Sequence, residues 1–246
     1  WPLLETMRDR AIAFVPASGR QCTTLSTIFG SHLQGMPIIA ENGTYVVRDG
    51  VDISSSTIDP NLTREVITGV RQLRNDGHDV GLVVATKSIA YLERGDDPFV
   101  SHVATYYHSH RIVKDLSEHT DDVIKLSIYD FREASEATYP TMQRTAPEHQ
   151  VILATPNWVD IMNPGVNKGS AVEAVQRDLG VTADQTAIFG DFLNDLEMMP
   201  MAKWSFAMAN GHPNIVKASN YVAPPNTENG VITVLAALLG TRVPIT

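Results

Sequence analysis

Apolar positions along this chain recur with two different periods, and the switches between them mark its elements. Residues 11–15 and 36–40 are short continuous apolar runs with β-branched members, the pattern of buried strands. Leu3, Leu4 and Met7 fall at loose helical spacing over 2–9, and Cys22, Leu25, Ile28 and Phe29 form the apolar face of a second helix. The 36–40 run closes on Glu41-Asn42-Gly43, and residues 44–47 pair back across that turn as a hairpin. Asp49-Gly50 makes a further turn. Helix, strand, helix, strand in this order predicts a parallel βαβ-type sheet.

From about residue 58 the rhythm changes. Val66, Ile67, Val70 and Leu73 line one face of a helix over 64–75. Strands are expected over 79–86 and 123–129, a helix over 134–144, and a strand pair over 150–155 and 158–162 across Pro156-Asn157. This is an α+β insert of about a hundred residues, enough for its own core. The α/β rhythm returns at Asn163-Pro164-Gly165-Val166-Asn167-Lys168-Gly169-Ser170. A helix with Ala171, Val172, Val175 and Leu179 inward ends at Gly180. A strand at 187–189, a helical pattern at Leu196 and Met199, strands at 205–208 and 221–223, short helical turns over 214–219 and a closing helix over 231–239 complete the chain. The expected fold class is α/β, a Rossmann-like parallel-sheet core of residues 1–57 and 163–246 with an α+β cap of residues 58–162.

Composition narrows the function. The 246 residues are 43% hydrophobic and 19% charged, ordinary for a globular protein with a sizeable core. A net charge of −9 with no basic patch argues against nucleic acid or an anionic membrane as partner. No stretch is apolar enough to span a bilayer, and the start carries no basic n-region or h-region, so no signal peptide is expected. A single cysteine, Cys22, excludes an intrachain disulfide and fits a cytoplasmic location.

Candidate chemistry gathers at three junctions. Asp191, Asn194 and Asp195 follow the 187–189 strand at Gly190. A helical turn there would bring their oxygens to one side, suited to a hard cation such as Mg²⁺. The plainer alternative is a set of helix caps. Ser18 and Gly19 lie between strand and helix, where free N–H groups and a hydroxyl can hold an anion; alternatively Ser18 caps the helix and Gly19 allows the turn. Lys168 starts a helix, where its charge opposes the macrodipole unless an anion sits there too; a solvated lysine is the alternative. His102, His108 and His110 lack an acid or Cys partner and fit a half-buried surface of Tyr and His better than a metal site. Together, Ser18-Gly19, Lys168 and the acidic loop compose a phosphoryl clamp at the strand ends of a parallel sheet.

With these residues the chain resembles the haloacid dehalogenase (HAD) superfamily, specifically the Cof-type phosphatases with a class IIB cap. Ala17-Ser18-Gly19-Arg20 is similar to the family's second motif and Lys168 in Asn-Lys-Gly to its third. Gly190-Asp191-Phe192-Leu193-Asn194-Asp195 with Met198-Met199 is similar to the fourth, and Ala207-Met208-Ala209-Asn210-Gly211 to the strand after it. Glu41-Asn42-Gly43 also matches, and the resemblance covers nearly the whole chain. One departure stands out. The first motif, Asp-x-Asp-Gly-Thr, which carries the family's nucleophile and its acid/base, is absent, and no Asp-x-Asp precedes Ser18. The strand and loop that hold it, about 30 residues by ordinary element lengths, are expected upstream of Trp1.

The resemblance implies a Mg²⁺-dependent phosphatase that hydrolyses a small phosphorylated metabolite, a phosphosugar or phosphorylated cofactor, through an aspartyl-phosphate. Ser18, Gly19 and Asn194 would hold phosphate, and Lys168 would balance charge. Asp191 would ligate the metal, and Asp195 would belong to the metal site through water or Lys168. Lys168 and Asp195 would be the catalytic residues within this chain, the cap would select substrate, and the protein would be a monomer or homodimer. A non-catalytic phosphate- or phosphosugar-binding protein and a sugar phosphomutase are the alternatives.

Overall fold

A computed structural model describes residues 1–241. Helix α1 (Pro2–Asp9) and helix α2 (Cys22–Phe29) stand where the apolar spacing puts them, although Ile28 is exposed and Leu25 carries the buried contact. The run at 11–15 is not a strand. Ala11 lies in a turn with φ 55°, residues 12–15 carry no regular structure, and only Ala17 forms a bridge, parallel to Ile39. Pro16 has no N–H to continue the ladder; its carbonyl accepts from the Ile39 N–H, and the Ser18 N–H donates to the Ile39 carbonyl.

Strands β1 (Pro37–Ala40), β2 (Tyr45–Arg48) and β3 (Val51–Ser55) form an antiparallel meander. The β1–β2 hairpin is the expected one. The third strand, Val-Asp-Ile-Ser-Ser, is mostly exposed and has no apolar run to announce it. The turn at residues 41–43 is unusual: Glu41, Asn42 and Gly43 all have positive φ, at 51°, 58° and 97°. Gly43 cannot be anything larger, because a Cβ there would lie 2.4 Å from the Asn167 carbonyl oxygen.

The insert opens with helix α3 (Pro60–Asn75), whose N-terminus is capped by the Asp59 carboxylate accepting from the Asn61 N–H at 2.7 Å. It continues through β4 (Val80–Thr86), β5 (Ala90–Leu92), α4 (Asp97–Ala104), β6 (His110–Ile112), β7 (Val123–Asp130), α5 (Thr138–Thr145), β8 (Gln150–Leu153) and β9 (Trp158–Met162). Its six strands form one sheet in the order β6-β5-β4-β7-β9-β8, antiparallel except for β5 and β6. Helices α3 and α5 cover one face, where Val66, Ile67, Val70 and Met142 pack on Leu82, Val84, Leu126 and Ile161. Ile124 of β7 instead joins Leu25, Ile38 and Tyr45, so the insert lies directly against the first section.

Helix α6 (Lys168–Leu179) begins with a reciprocal cap between Asn167 and Ser170 and ends at Gly180 in the left-handed conformation. Then come β10 (Ala187–Gly190), β11 (Trp204–Met208), α7 (Pro213–Ala218), β12 (Tyr221–Ala223) and α8 (Gly230–Leu239), with β10-β11-β12 parallel. The helix anticipated from Leu196 and Met199 is replaced by two 3-10 turns, Leu193–Asp195 and Met199–Met201. Pro200 lacks the N–H an α-helix would need there and would collide with the carbonyl four residues back. Ile39, Val46, Ala171, Val175, Ile188 and Ala207 join both sections in one core. The last five residues of the 163–246 assignment, 242–246, lie outside the described residues.

Candidate active site

A cavity of about 500 Å³ opens between the core and the insert, and Ser18, Gly19, Lys168, Asp191, Asn194 and Asp195 all line it. Ser18 directly follows the Ala17 bridge, and its N–H donates to the Ile39 carbonyl. Its Oγ accepts from the Arg20 N–H at 3.2 Å, which organises the turn and leaves the hydroxyl proton free to donate. A Cβ on Gly19 would meet Asn42 Oδ1 at 2.9 Å, so only glycine lets the turn pass this close. Gln21, not Ser18, occupies the N-cap position of α2 and makes no side-chain cap bond, so the Ser18 side chain is not used as a helix cap.

Lys168 is the first residue of α6. Its Nζ donates to Asp195 Oδ1 at 2.6 Å, and both residues are buried. Asp195 Oδ2 accepts from the N–H groups of Asp191, at 2.9 Å, and Phe192, at 3.3 Å. The unfavourable place of a cation at a helix start is thus answered by a carboxylate from the next loop. Glycines let the two loops interlock: a Cβ on Gly169 would lie 2.3 Å from the Glu197 carbonyl oxygen, and one on Gly190 would lie 2.8 Å from Asp195 Cβ.

Asp191 is exposed to the cavity. Its Oδ2 accepts from Asn226 Nδ2 at 3.1 Å, and Asn226 is held in turn by two bonds with Asn210. Asn194 Nδ2 donates to Asn42 Oδ1 at 3.1 Å.

The insert supplies the opposite wall. Lys125 of β7 contacts Glu41 Oε2 at 2.5 Å and donates to the Gly19 carbonyl at 3.1 Å, with Asp160 of β9 3.9 Å away. Asp160 Oδ1 accepts from Ser127 at 2.6 Å, and Tyr107 bonds Ser127 at 3.0 Å. Burial pushes the Glu41 carboxyl up, an effect partly offset by Lys125. Burial also opposes a charge on Lys125, but Glu41, Tyr107 and Asp160 outweigh it and the ammonium is held more tightly than usual. Tyr106 and Trp158 meet edge to face at 5.8 Å beside this network, with the Arg20 guanidinium over the Tyr106 ring.

A family model for haloacid dehalogenase-like hydrolases matches residues 3–235. The chain belongs to this family. It is 28% identical over 246 residues to the 5-amino-6-(5-phospho-D-ribitylamino)uracil phosphatase YbjI of Escherichia coli K12, covering 98% of this chain and 88% of that one. Its fold matches a haloacid dehalogenase-like hydrolase from Bacteroides thetaiotaomicron with a TM-score of 0.85, at 20% identity over 96% of this chain and 90% of that one. It also matches a HAD subclass IIB sugar phosphatase with a TM-score of 0.77, at 19% identity over 96% and 89%.

In this HAD-family chain the donor set suits Mg²⁺ rather than a soft metal. Asp191 Oδ1 makes no hydrogen bond among the described residues, and its other oxygen accepts from the Asn226 amide. Mg²⁺ is commonly held by one or two carboxylates while keeping several waters. Asp195 has both oxygens engaged, so it would support such an ion from behind. Among the described residues no three His, Cys, Asp or Glu form a metal-holding group. The histidines are dispersed: His102 bonds and stacks on Tyr129, and His110 bonds the Tyr107 carbonyl. Lys125, Ser127, Asp160 and Asn226 are among the cavity residues that no sequence motif marks. Lys125 and Ser127 occupy alternate positions of β7, a spacing that places both on one face of the strand, and that period was their only signal.

Proposed function

We propose that this chain carries the phosphate- and metal-holding part of a Mg²⁺-dependent phosphatase for a small phosphorylated metabolite. The observation behind the reading is the convergence of Ser18, Gly19, Lys168, Asp191 and Asn194 on one cavity. Ser18 Oγ and the turn amides would donate to the phosphate oxygens, with Asn194 as a further donor. Lys168, aimed by its bond to Asp195, would offset negative charge on the phosphoryl group. Asp191 would hold Mg²⁺, which when bound would further neutralise charge on the transferring group. By the family resemblance the attacking carboxylate would be a first-motif aspartate, a motif that does not occur before Ser18 in these 246 residues. Its oxygen would bond to phosphorus as the ester P–O bond breaks and the alcohol leaves with a proton. Water would then cleave the aspartyl-phosphate, releasing phosphate and restoring the carboxylate. The insert would act as a cap, excluding water and selecting the leaving group.

The name of the E. coli relative supports a leaving group that joins a polyol to a planar ring. The cavity beside Tyr106 and Trp158 has aromatic surface for a ring and polar groups for hydroxyls. The decisive measurement is Mg²⁺-dependent phosphate release by the intact gene product from p-nitrophenyl phosphate and from a panel of sugar, polyol and nucleotide monophosphates. Release from a polyol or sugar phosphate supports the reading. Phosphate binding with no turnover, together with Asn or Ser in place of the first-motif nucleophile, would turn it into a non-catalytic phosphate-binding protein. Transfer of phosphate between sugar positions would make it a mutase.

A further inference from the structure

The turn at residues 41–43 holds Glu41 in a conformation its residue type does not favour. Glu41 has φ 51°, and a left-handed residue other than Gly, Asn or Asp costs roughly 1–2 kcal/mol. Such strain persists only where the surroundings over-determine it, and it collects at functional sites. Here the surroundings are the insert on one side and the phosphate-type groups on the other. Glu41, 1% exposed, meets Lys125, and Asn42, 7% exposed, lies between Asp160 and Asn194.

Two relays run through this junction. In the first, Lys125 Nζ donates to the Gly19 carbonyl at 3.1 Å, and the N–H of the same peptide unit, on Arg20, donates to Ser18 Oγ at 3.2 Å. A peptide unit is planar and rigid. Fixing its carbonyl therefore fixes the N–H that orients the Ser18 hydroxyl. In the second, Asn42 Nδ2 donates to Asp160 Oδ2 at 3.5 Å, which turns Asn42 Oδ1 toward Asn194, whose Nδ2 donates to it at 3.1 Å. This contact leaves the second N–H of Asn194 free for the cavity. Each relay starts on a buried side chain of the insert and ends on a core residue at the phosphate-type end of the cavity.

Cohesion alone does not account for these groups. Glu41, Lys125 and Asp160 are nearly excluded from water, and neither Glu41 oxygen makes a hydrogen bond of regular geometry. Replacing a buried ion pair by apolar residues of similar volume is often neutral or stabilising. We propose that Lys125 and Asp160 are positioning residues for phosphate binding, acting on Ser18 through Gly19 and on Asn194 through Asn42. The inference rests on the phosphatase reading above.

The test is the affinity of the intact protein for inorganic phosphate in Mg²⁺ buffer, by calorimetry, with the melting temperature recorded for each variant. Lys125→Met should weaken phosphate about tenfold, the effect of one lost charge-assisted hydrogen bond. Because that variant leaves Glu41 unpaired, the double variant Lys125→Met/Glu41→Gln removes both charges while keeping the Gly19 relay broken. With Asp160 still bonded by Ser127 and Asn42, it should melt above Lys125→Met and still bind phosphate about tenfold more weakly than the wild type. Asp160→Ala should weaken phosphate about threefold, as one neutral hydrogen bond is lost from the Asn42 relay. A folded double variant with wild-type affinity would overturn the inference and leave the phosphatase reading intact. A wild type that binds no phosphate would overturn both.

Discussion

Lys168 and Asp191 show how differently two residues of one site respond to substitution. Lys168→Met would leave Asp195 buried with two backbone donors and no cation, and breaking a buried pair on one side costs about 3–5 kcal/mol. Urea unfolding should show that loss together with loss of phosphate affinity. Asp191→Ala changes an exposed side chain, so its stability should stay within about 0.5 kcal/mol of wild type, while Mg²⁺-dependent phosphate release disappears. Full activity in Asp191→Ala would remove the metal role assigned to it. Both residues could be found from sequence because each sits in a short polar motif where an apolar element stops. Lys125 and Asp160 could not. They occupy polar positions of strands, and such positions normally face water. Their burial, at 3% and 5% exposed, comes from another section of the chain lying over that face. No local pattern records such a covering.

Elements with a strong period or a terminal signal were legible in the same way. Helix α3 has four apolar positions on one face, and α6 has Asn167 at its start and Gly180 at its end; both form as anticipated. The run at 11–15 and the stretch after Gly190 differ from expectation beside Pro16 and Pro200, where the missing N–H outweighs an apolar pattern. The turn between β1 and β2 makes a sharper forecast. Gly43→Ala would place a Cβ 2.4 Å from the Asn167 carbonyl at φ 97°, so both strain and collision apply. A loss of roughly 2–4 kcal/mol is expected in chemical denaturation. Gly180→Ala has the positive φ but open space, and should lose only about 1 kcal/mol. Equal losses would refute the collision. Arg71 of α3 ties two carboxylates of the insert, Glu93 and Asp115. Ser117 and Arg71 hold Asp115 down to about 2. For Glu93, burial acts upward, but Arg71 and the Leu116 N–H outweigh it, and its net direction is also down. A carboxyl with a folded pKa below its unfolded value stabilises the fold above the unfolded value and loses that stability as pH falls. The melting temperature should therefore drop between about pH 4, the unfolded range, and about pH 2, where Asp115 titrates in the fold. Asp115→Asn should flatten that drop, and an unchanged profile would count against the assignment.

At the scale of the whole molecule, the cavity is the place where two separately packed sections share polar groups. The insert has its own core around Val66, Leu126 and Ile161, and the α/β section has another around Val46, Val175 and Ile188. Ile124 packs across the boundary and the Lys87–Asp52 ion pair ties it away from the cavity lining, while Lys125, Asp160 and Asn42 make their cross-boundary contacts beside the candidate phosphate position. A ligand bound there touches walls from both sections, so it should stabilise the joined arrangement as well as its own contacts. A ligand present at about a hundred times its Kd stabilises by about 2.7 kcal/mol if it binds only the folded state. For a chain of this length that corresponds to a rise of about 5 °C or somewhat less in melting temperature. Inorganic phosphate with Mg²⁺ should produce such a shift, and Mg²⁺ alone a smaller one, because Asp191 is the one exposed carboxylate among the six motif residues that line the cavity. Asp191→Ala should abolish the shift from Mg²⁺ alone while retaining part of the phosphate shift, since Ser18, Gly19 and Lys168 remain. If saturating phosphate leaves the melting curve of the intact protein unmoved, the cavity does not bind phosphate, whatever the resemblance of its motifs.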